Sequence, residues 1–223
     1  MKGYRDLKHT KIDTDRVKRR GFPETIFCEG KTLDQIVDIF NAMKSHGSNV
    51  LMTRASQEVF KSLHYLDGRT VYNQQGRVIA LEQKPLKKVG LVYVVTAGTS
   101  DIPVAEEAVS TLEVFGNNTK KIYDVGVAGI HRLFSYEKEL RKANCIIAVA
   151  GMDGAMPSVI AGRVNVPVIG VPTSVGYGVC DNGWTALRAM LASCAEGLSV
   201  VNIDGGFKGA TVASMINRAQ HKV

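Results

Sequence analysis

The chain has 223 residues, of which 45% are apolar and 7% aromatic, with a formal net charge of +7. This length and balance describe an ordinary soluble globular protein with one good core and a smaller appendage. A membrane protein is excluded because no apolar run approaches the roughly 20 residues a span needs, and the opening Met1-Lys-Gly-Tyr-Arg-Asp6 has no apolar signal core.

The charge is uneven. Residues 1–20 carry Lys2, Arg5, Lys8, Lys11, Arg16, Lys18, Arg19 and Arg20 against Asp6, Asp13 and Asp15, which marks a basic N-terminal arm. Such an arm can grip phosphates, wrap a neighbouring subunit or supply cations to a phosphate-bearing small substrate. Nucleic acid is disfavoured, because no interleaved aromatics or known nucleic-acid motif accompanies the charges. The four cysteines (Cys28, Cys145, Cys180, Cys194) lack CxxC spacing, so free thiols of a cytoplasmic protein are expected rather than disulfides or a zinc site.

Residues 21–84 read as a small α+β domain. Thr32-Leu-Asp-Gln35 has capping-box spacing and leads into Ile36, Val37, Ile39, Phe40 and Met43, a helix ended near Gly47. Asn49–Thr53 is a strand and Ala55–Leu66 a helix. Thr70–Tyr72 and Arg77–Leu81 form a hairpin across Asn73-Gln-Gln-Gly76. Gln83–Lys88 has the polar, Pro-containing character of a linker.

The rhythm changes at Val89. Val89–Val95, Lys121–Val125, Cys145–Val149, Val166–Val171 and Leu198–Ile203 are near-continuous Val/Ile strands separated by helix-length segments. That pattern predicts an α/β domain over 88–223, a parallel sheet with helices on both faces. The first of these helices starts at Pro103 and runs through Ala105, Ala108, Leu112 and Phe115 to Gly116.

Such a sheet binds ligands at the carboxyl ends of its strands, and four turns there carry chemistry. In Thr96-Ala-Gly-Thr-Ser-Asp101, Gly98 lets the backbone approach a ligand. Thr99, Ser100 and Asp101 offer polar groups at a helix start, where Ser100 or Asp101 also serves as a cap. In Val127-Ala-Gly-Ile-His-Arg132, Arg132 is a permanent cation suited to phosphate or carboxylate, and His131 is a ligand contact or a satisfied imidazole. Gly151-Met-Asp-Gly-Ala-Met-Pro157 joins Gly151 and Gly154 to one carboxylate, Asp153, either an N-cap or a proton acceptor. Pro172-Thr-Ser-Val-Gly-Tyr-Gly178 is a flexible lid or phosphate cradle, with Thr173, Ser174, Gly176 and Tyr177 as its candidate contacts. Trp184, Leu187, Met190 and Leu191 form a helical core face, and Cys194 lies near that helix's C-terminal end among alanines. A cysteine in such a setting is either inert packing or a nucleophile, and a helix C-terminus does not lower its pKa.

Taken together, GTSDIPVAEEA (98–108), VAGIHR (127–132), AVAGMDGAMPSVIAG (148–162) and PVIGVPTSVGYG (167–178) resemble the PurE-like fold. The closer similarity is to the LarB family, which makes pyridinium-3,5-biscarboxylic acid mononucleotide for the nickel-pincer cofactor of lactate racemase. Asp15, Arg16, Arg19, Arg20-Gly-Phe-Pro-Glu24 and Glu29-Gly-Lys-Thr32 are similar to that family's first domain. The resemblance implies carboxylation of nicotinic acid adenine dinucleotide by carbon dioxide or bicarbonate. It also implies phosphoanhydride hydrolysis to AMP, with no tightly bound cofactor and Mg²⁺ assisting. By the same resemblance, Ala192-Ser-Cys-Ala195 carries the nucleophile, Cys194, and Asp153 replaces the family glutamate as the base. Ser100 and Asp101 position the substrate. Cys180, in the divergent Val179-Cys-Asp-Asn-Gly-Trp184, is the second candidate thiol.

A homo-oligomer, dimer-based or octameric, is implied as well, for which Ala210, Val212, Ala213, Met215 and Ile216 offer a packing surface unless they cover their own sheet. The alternative enzyme is an aminoimidazole ribonucleotide carboxylase or mutase. Against it, Ala155 stands where that group has a histidine two residues before its proline, here Pro157. A non-enzymatic alternative is a nucleotide-sensing or RNA-binding module built on residues 1–20.

Overall fold

The computed structural model describes residues 3–221. The chain divides into two compact units, one through Leu86 and one from Lys87.

In the first unit, β1 (Tyr4–Asp6) and β2 (Lys11–Asp13) form an antiparallel hairpin followed by α1 (Arg16–Arg20). From Gly3 onward the basic segment is folded into this unit: Ile12 of β2 is buried in the same core as Ile36, Phe40 and Met43. Its charges are partly paired at home, Arg16 with Glu24 at 2.7 Å and Arg19 with Asp13 and Asp15. β3 (Thr25–Phe27), β4 (Val50–Thr53), β5 (Val71–Asn73) and β6 (Val78–Leu81) make a mixed sheet in the order β3-β4-β6-β5.

Helices α2 (Leu33–Ser45) and α3 (Gln57–Leu66) pack on it. The predicted capping box of α2 is present in full. Thr32 Oγ1 accepts from the Gln35 amide at 3.3 Å, and Gln35 Oε1 accepts from the Thr32 amide at 3.1 Å. The start of α3 falls two residues later than predicted, because Ser56 caps it through the Val59 amide. Residues 83–84 are tied in place rather than loose: the Asn49 side-chain oxygen Oδ1 accepts from both amides.

The second unit is a five-stranded, fully parallel sheet in the order β11-β10-β9-β7-β8. Its strands are β7 (Val89–Thr96), β8 (Asn117–Ile122), β9 (Cys145–Ala150), β10 (Val168–Pro172) and β11 (Leu198–Val200). Alternate residues of the central strands feed two separate cores, as a pleat requires. Val92, Val94, Ile147, Val149, Ile169 and Val171 pack against α4 (Ile102–Val114) and α9 (Gly206–Ala219) through Ala108, Leu112, Ala210 and Ala213. Tyr93, Val95, Ile146, Ala148 and Val168 face the opposite layer. That layer comprises α5 (Ile130–Ser135), α6 (Glu137–Leu140), α7 (Met156–Ala161) and α8 (Trp184–Leu191), which contribute Leu133, Leu140, Ile160 and Met190.

Two predicted strands shift. β8 covers 117–122 rather than 121–125, because it is an edge strand whose outer positions carry Asn118 and Lys120. β11 ends at Val200, three residues early. On α9, Ala210 and Ala213 are fully buried on the chain's own sheet, whereas Val212 and Met215 face outward. No helix among the described residues is long and apolar enough to cross a membrane.

Candidate active site

The chain passes from β7 to its neighbour β8 on one side and then returns to β9 on the other. This places a topological switch point between β7 and β9, where an open α/β sheet forms its crevice. Backbone hydrogen bonds draw the turns together there. The Ala97 amide donates to Val149 O, Val125 to Thr96 O, Thr173 to Ala150 O, and Met152 to Val175 O. A cavity of about 690 Å³ opens above them, within the range that takes a nucleotide-sized ligand.

Seven of the candidate residues from the sequence line this cavity: Gly98, Ser100, Asp101, Arg132, Gly151, Asp153 and Cys180. Asp101 is 3% exposed and doubly anchored. One carboxylate oxygen accepts from the Gly98 amide at 2.8 Å and the other from Thr173 Oγ1 at 2.7 Å. Burial pushes the Asp101 carboxyl above its ordinary value, against the pull of these hydrogen bonds. Thr173 is fully buried and acts on the cavity through Asp101 rather than by contact.

Asp153 is exposed, its carboxylate reaching only the Ala155 amide at 3.4 Å, which leaves it open to a ligand. Arg132 donates to Asp124 at 2.6 Å in a solvent-exposed pair. Exposed pairs contribute at most about 1 kcal/mol, so an anionic ligand can draw the guanidinium away.

The remaining candidates do not line the cavity. Thr99, His131, Ser174, Gly176 and Tyr177 are exposed beside it, and Gly154 is buried beneath it. Ser174 uses its amide to hold Asp204 at 2.9 Å. Gly154, at φ +65°, packs so closely on α8 that a Cβ there would lie 2.8 Å from Ala186 Cα.

Cys194 is exposed and also outside the cavity lining, past the C-terminal end of α8. Cys180, by contrast, is buried in the cavity wall with its thiol 4.0 Å from Met152 Sδ. Met152, Thr185 and the apolar pair Val175 and Val179 also line the wall. Sequence reasoning did not single these out, since their residue types carry no chemical signal. A backbone signal does mark the region: Asp124, Met152, Asp181, Asn182 and Asp204 all adopt positive φ at this end of the sheet. Such conformations are costly for non-glycine residues and concentrate at functional sites.

Two measurable consequences follow from this geometry. A Cβ at Gly151 would meet Thr173 Oγ1 at 2.5 Å and Val175 O at 2.6 Å. Gly151→Ala is therefore expected to displace the 173–175 turn and to lower stability by about 1–3 kcal/mol, read from the midpoint of urea unfolding. An unchanged midpoint would mean that the two turns are not in contact. The second consequence concerns the thiols. Burial pushes Cys28 up to about 11 and Cys145 up to about 12, so neither forms a thiolate near neutrality. Iodoacetamide at about pH 8 is expected to label Cys194 well ahead of Cys28 and Cys145. Peptide mapping by mass spectrometry reads the order, and early labelling of Cys145 would contradict the burial.

Among the described residues, no group of three or more His, Cys, Asp or Glu side chains is placed to hold a metal ion.

The comparisons with known proteins agree with the two-unit layout. Residues 4–84 match the LarB/PurE-like N-terminal domain family, and residues 91–223 match the AIR carboxylase family. An uncharacterised protein of Methanocaldococcus jannaschii is 43% identical over 223 aligned positions, covering 95% of this chain and 85% of the relative. The N5-carboxyaminoimidazole ribonucleotide mutase of Thermotoga maritima is 31% identical over 136 positions, covering 58% of this chain and 68% of that protein. A crystal structure of a Treponema denticola PurE2 variant aligns with a TM-score of 0.43 at 18% identity, over 61% of this chain and 94% of that one. An N-terminal LarB-type unit joined to a PurE-like carboxylase unit places this chain in the LarB family.

Proposed function

We propose that this protein carboxylates the pyridinium ring of nicotinic acid adenine dinucleotide and hydrolyses the phosphoanhydride. The products are pyridinium-3,5-biscarboxylic acid mononucleotide and AMP, and the step belongs to nickel-pincer cofactor synthesis. The observation that carries this reading is the single cavity in which an open carboxylate, Asp153, shares walls with Ser100, Asp101 and Arg132.

The chemistry sets the roles. A pyridinium carbon is electron-poor and does not attack carbon dioxide. Addition of a thiolate forms a C–S bond, and a ring π pair moves to the nitrogen, leaving an enamine-like carbon that attacks carbon dioxide. Asp153 then takes the proton from the carboxylated carbon. The electrons of that C–H bond restore the ring as the C–S bond breaks and the thiolate departs. Ser100 and the anchored Asp101 position the ring and its carboxylates. Arg132 and the turn amides take the anionic groups. Mg²⁺ bound to the dinucleotide would supply charge neutralisation for cleavage of the phosphoanhydride.

The test is direct. Protein incubated with the dinucleotide, bicarbonate and Mg²⁺ is expected to release AMP together with a pyridinium mononucleotide bearing a second carboxylate, both read by mass spectrometry. Folded protein that yields neither overturns the reading.

A second reading, an aminoimidazole ribonucleotide carboxylase or mutase, is favoured by the AIR carboxylase match. Ala155 lines the cavity where that chemistry would have histidine, and no histidine lines it. The aminoimidazole substrate needs no thiol, so activity on it would survive thiol alkylation.

A further inference from the structure

The first unit holds a cavity of its own, about 260 Å³, which the reaction proposed above does not use. It opens between α1, with the turn that follows it, and the end of α2. Its apolar wall is Val17, Phe22, Pro23 and Leu86. Phe22 and Pro23 are buried and form the floor, whereas Val17 and Leu86 are exposed at the sides. An apolar concavity with a few polar groups at fixed positions is the usual make-up of a small-molecule site.

The polar groups come from three segments. Thr14 precedes α1, Ser48 follows α2, and Lys84 follows β6. Buried Asn49 pins Lys84 from inside the fold: its Oδ1 accepts from the Lys84 amide at 2.8 Å, and its Nδ2 donates to Lys84 O at 2.8 Å. The ammonium of Lys84 lies over Gly47, next to Ser48, where a Cβ on Gly47 would be 3.6 Å from Nζ. Thr14 and Ser48 recur together around a smaller adjoining space, so the two hydroxyls lie near each other. Among the described residues, no carboxylate pairs with the Lys84 ammonium, and neither hydroxyl has a hydrogen-bond partner.

The surrounding charge is positive. The guanidinium carbons of Arg16 and Arg20 lie 6.0 and 5.6 Å from the centroid of the Phe22 ring. The nearby acids are already matched. Glu24 accepts from Arg16 at 2.7 Å, and Asp13 and Asp15 pair with Arg19. Asp13 and Glu24 face the adjoining space, and no acid lines the cavity itself.

We propose that this cavity binds a small aromatic monocarboxylate. The ring lies on Phe22 and Pro23, and the carboxylate meets Lys84 Nζ and the hydroxyls of Thr14 and Ser48. The inference goes beyond the proposed reaction and does not rest on it. One unpaired ammonium and two hydroxyl donors match the acceptor capacity and single charge of a carboxylate. A flat ring covers apolar wall with few torsions to freeze. At about 30 Å³ per water the space equals about nine waters, which suits one ring with its acid group and excludes a dinucleotide.

The probe is para-bromobenzoate, because bromine scatters anomalously and reports its own position. In crystals of the full chain soaked with it, a bromine peak is expected among Val17, Phe22 and Leu86, with the carboxylate about 3 Å from Lys84 Nζ. A soak can record binding at crystal concentration only, so calorimetry in solution supplies the second reading. Saturable binding is expected, with a dissociation constant at or below about 1 mM. Lys84→Met keeps the aliphatic stem and removes the charge, and is expected to weaken binding about tenfold or more. The neutral para-bromobenzamide is expected to lose as much.

A bromine peak confined to the cavity at the strand ends, or no saturable heat, overturns the proposal. So does unchanged affinity in Lys84→Met, equal binding of the amide, or tighter binding of phenyl phosphate. None of these readings requires turnover of the dinucleotide, so failure of the proposed reaction leaves this site standing, and the reverse holds too.

Discussion

Cys194→Ala is expected to abolish carboxylation while the fold stays intact. Removing a covalent nucleophile typically costs on the order of 10⁴ or more in turnover. A truncation at an exposed position shifts stability by no more than about 0.5 kcal/mol, and Cys194 is exposed. The two readouts therefore separate: product analysis by mass spectrometry should change completely and the thermal midpoint hardly at all. Cys180→Ala is the informative companion, because its thiol lies in the cavity wall. An active Cys194→Ala beside an inactive Cys180→Ala would move the nucleophile into the wall. Full activity in both would eliminate the covalent step.

Asp153→Asn is the second large effect. The amide keeps the size and the 3.4 Å contact to the Ala155 amide but cannot take a proton, so the carboxylation rate is expected to fall by about 10²–10⁴. Exchange of the ring C–H with solvent deuterium should fall with it, since both need the same base. Asp153→Glu adds one methylene at an exposed position with room to accommodate it, and activity is expected to persist. A variant with asparagine that carboxylates at the wild-type rate would assign the proton to another group. Asp101, buried and already engaged by Thr173 and Gly98, would be the next to examine.

The parallel sheet was legible from sequence because its central strands are covered on both faces, and such strands must be Val/Ile-rich almost without interruption. The turns were legible for a related reason: glycine and a few polar residues directly after a buried strand mark the carboxyl end of that strand, where an α/β sheet forms its crevice. Hence Ser100, Asp101, Arg132 and Asp153 were identified together and share one cavity. The edge strand β8 was misplaced by local reading, since its exposed face admits Asn118 and Lys120 and breaks the apolar run. The basic residues of the first twenty looked like a free arm because Ile12, a single apolar side chain, gives no periodic signal of the core it enters.

What the sequence determined by itself, then, was at which end of a strand most of the candidate residues stand, because strand-turn-helix order follows from short-range pattern. The tertiary structure decided which of them meet. Thr173 holds Asp101 across 72 positions of chain. Cys194, eleven residues beyond Gly183, is carried by α8 to the opposite end of the sheet. A helix that returns antiparallel to its strands reverses position as well as direction, so nearness in sequence to the cavity became distance in space.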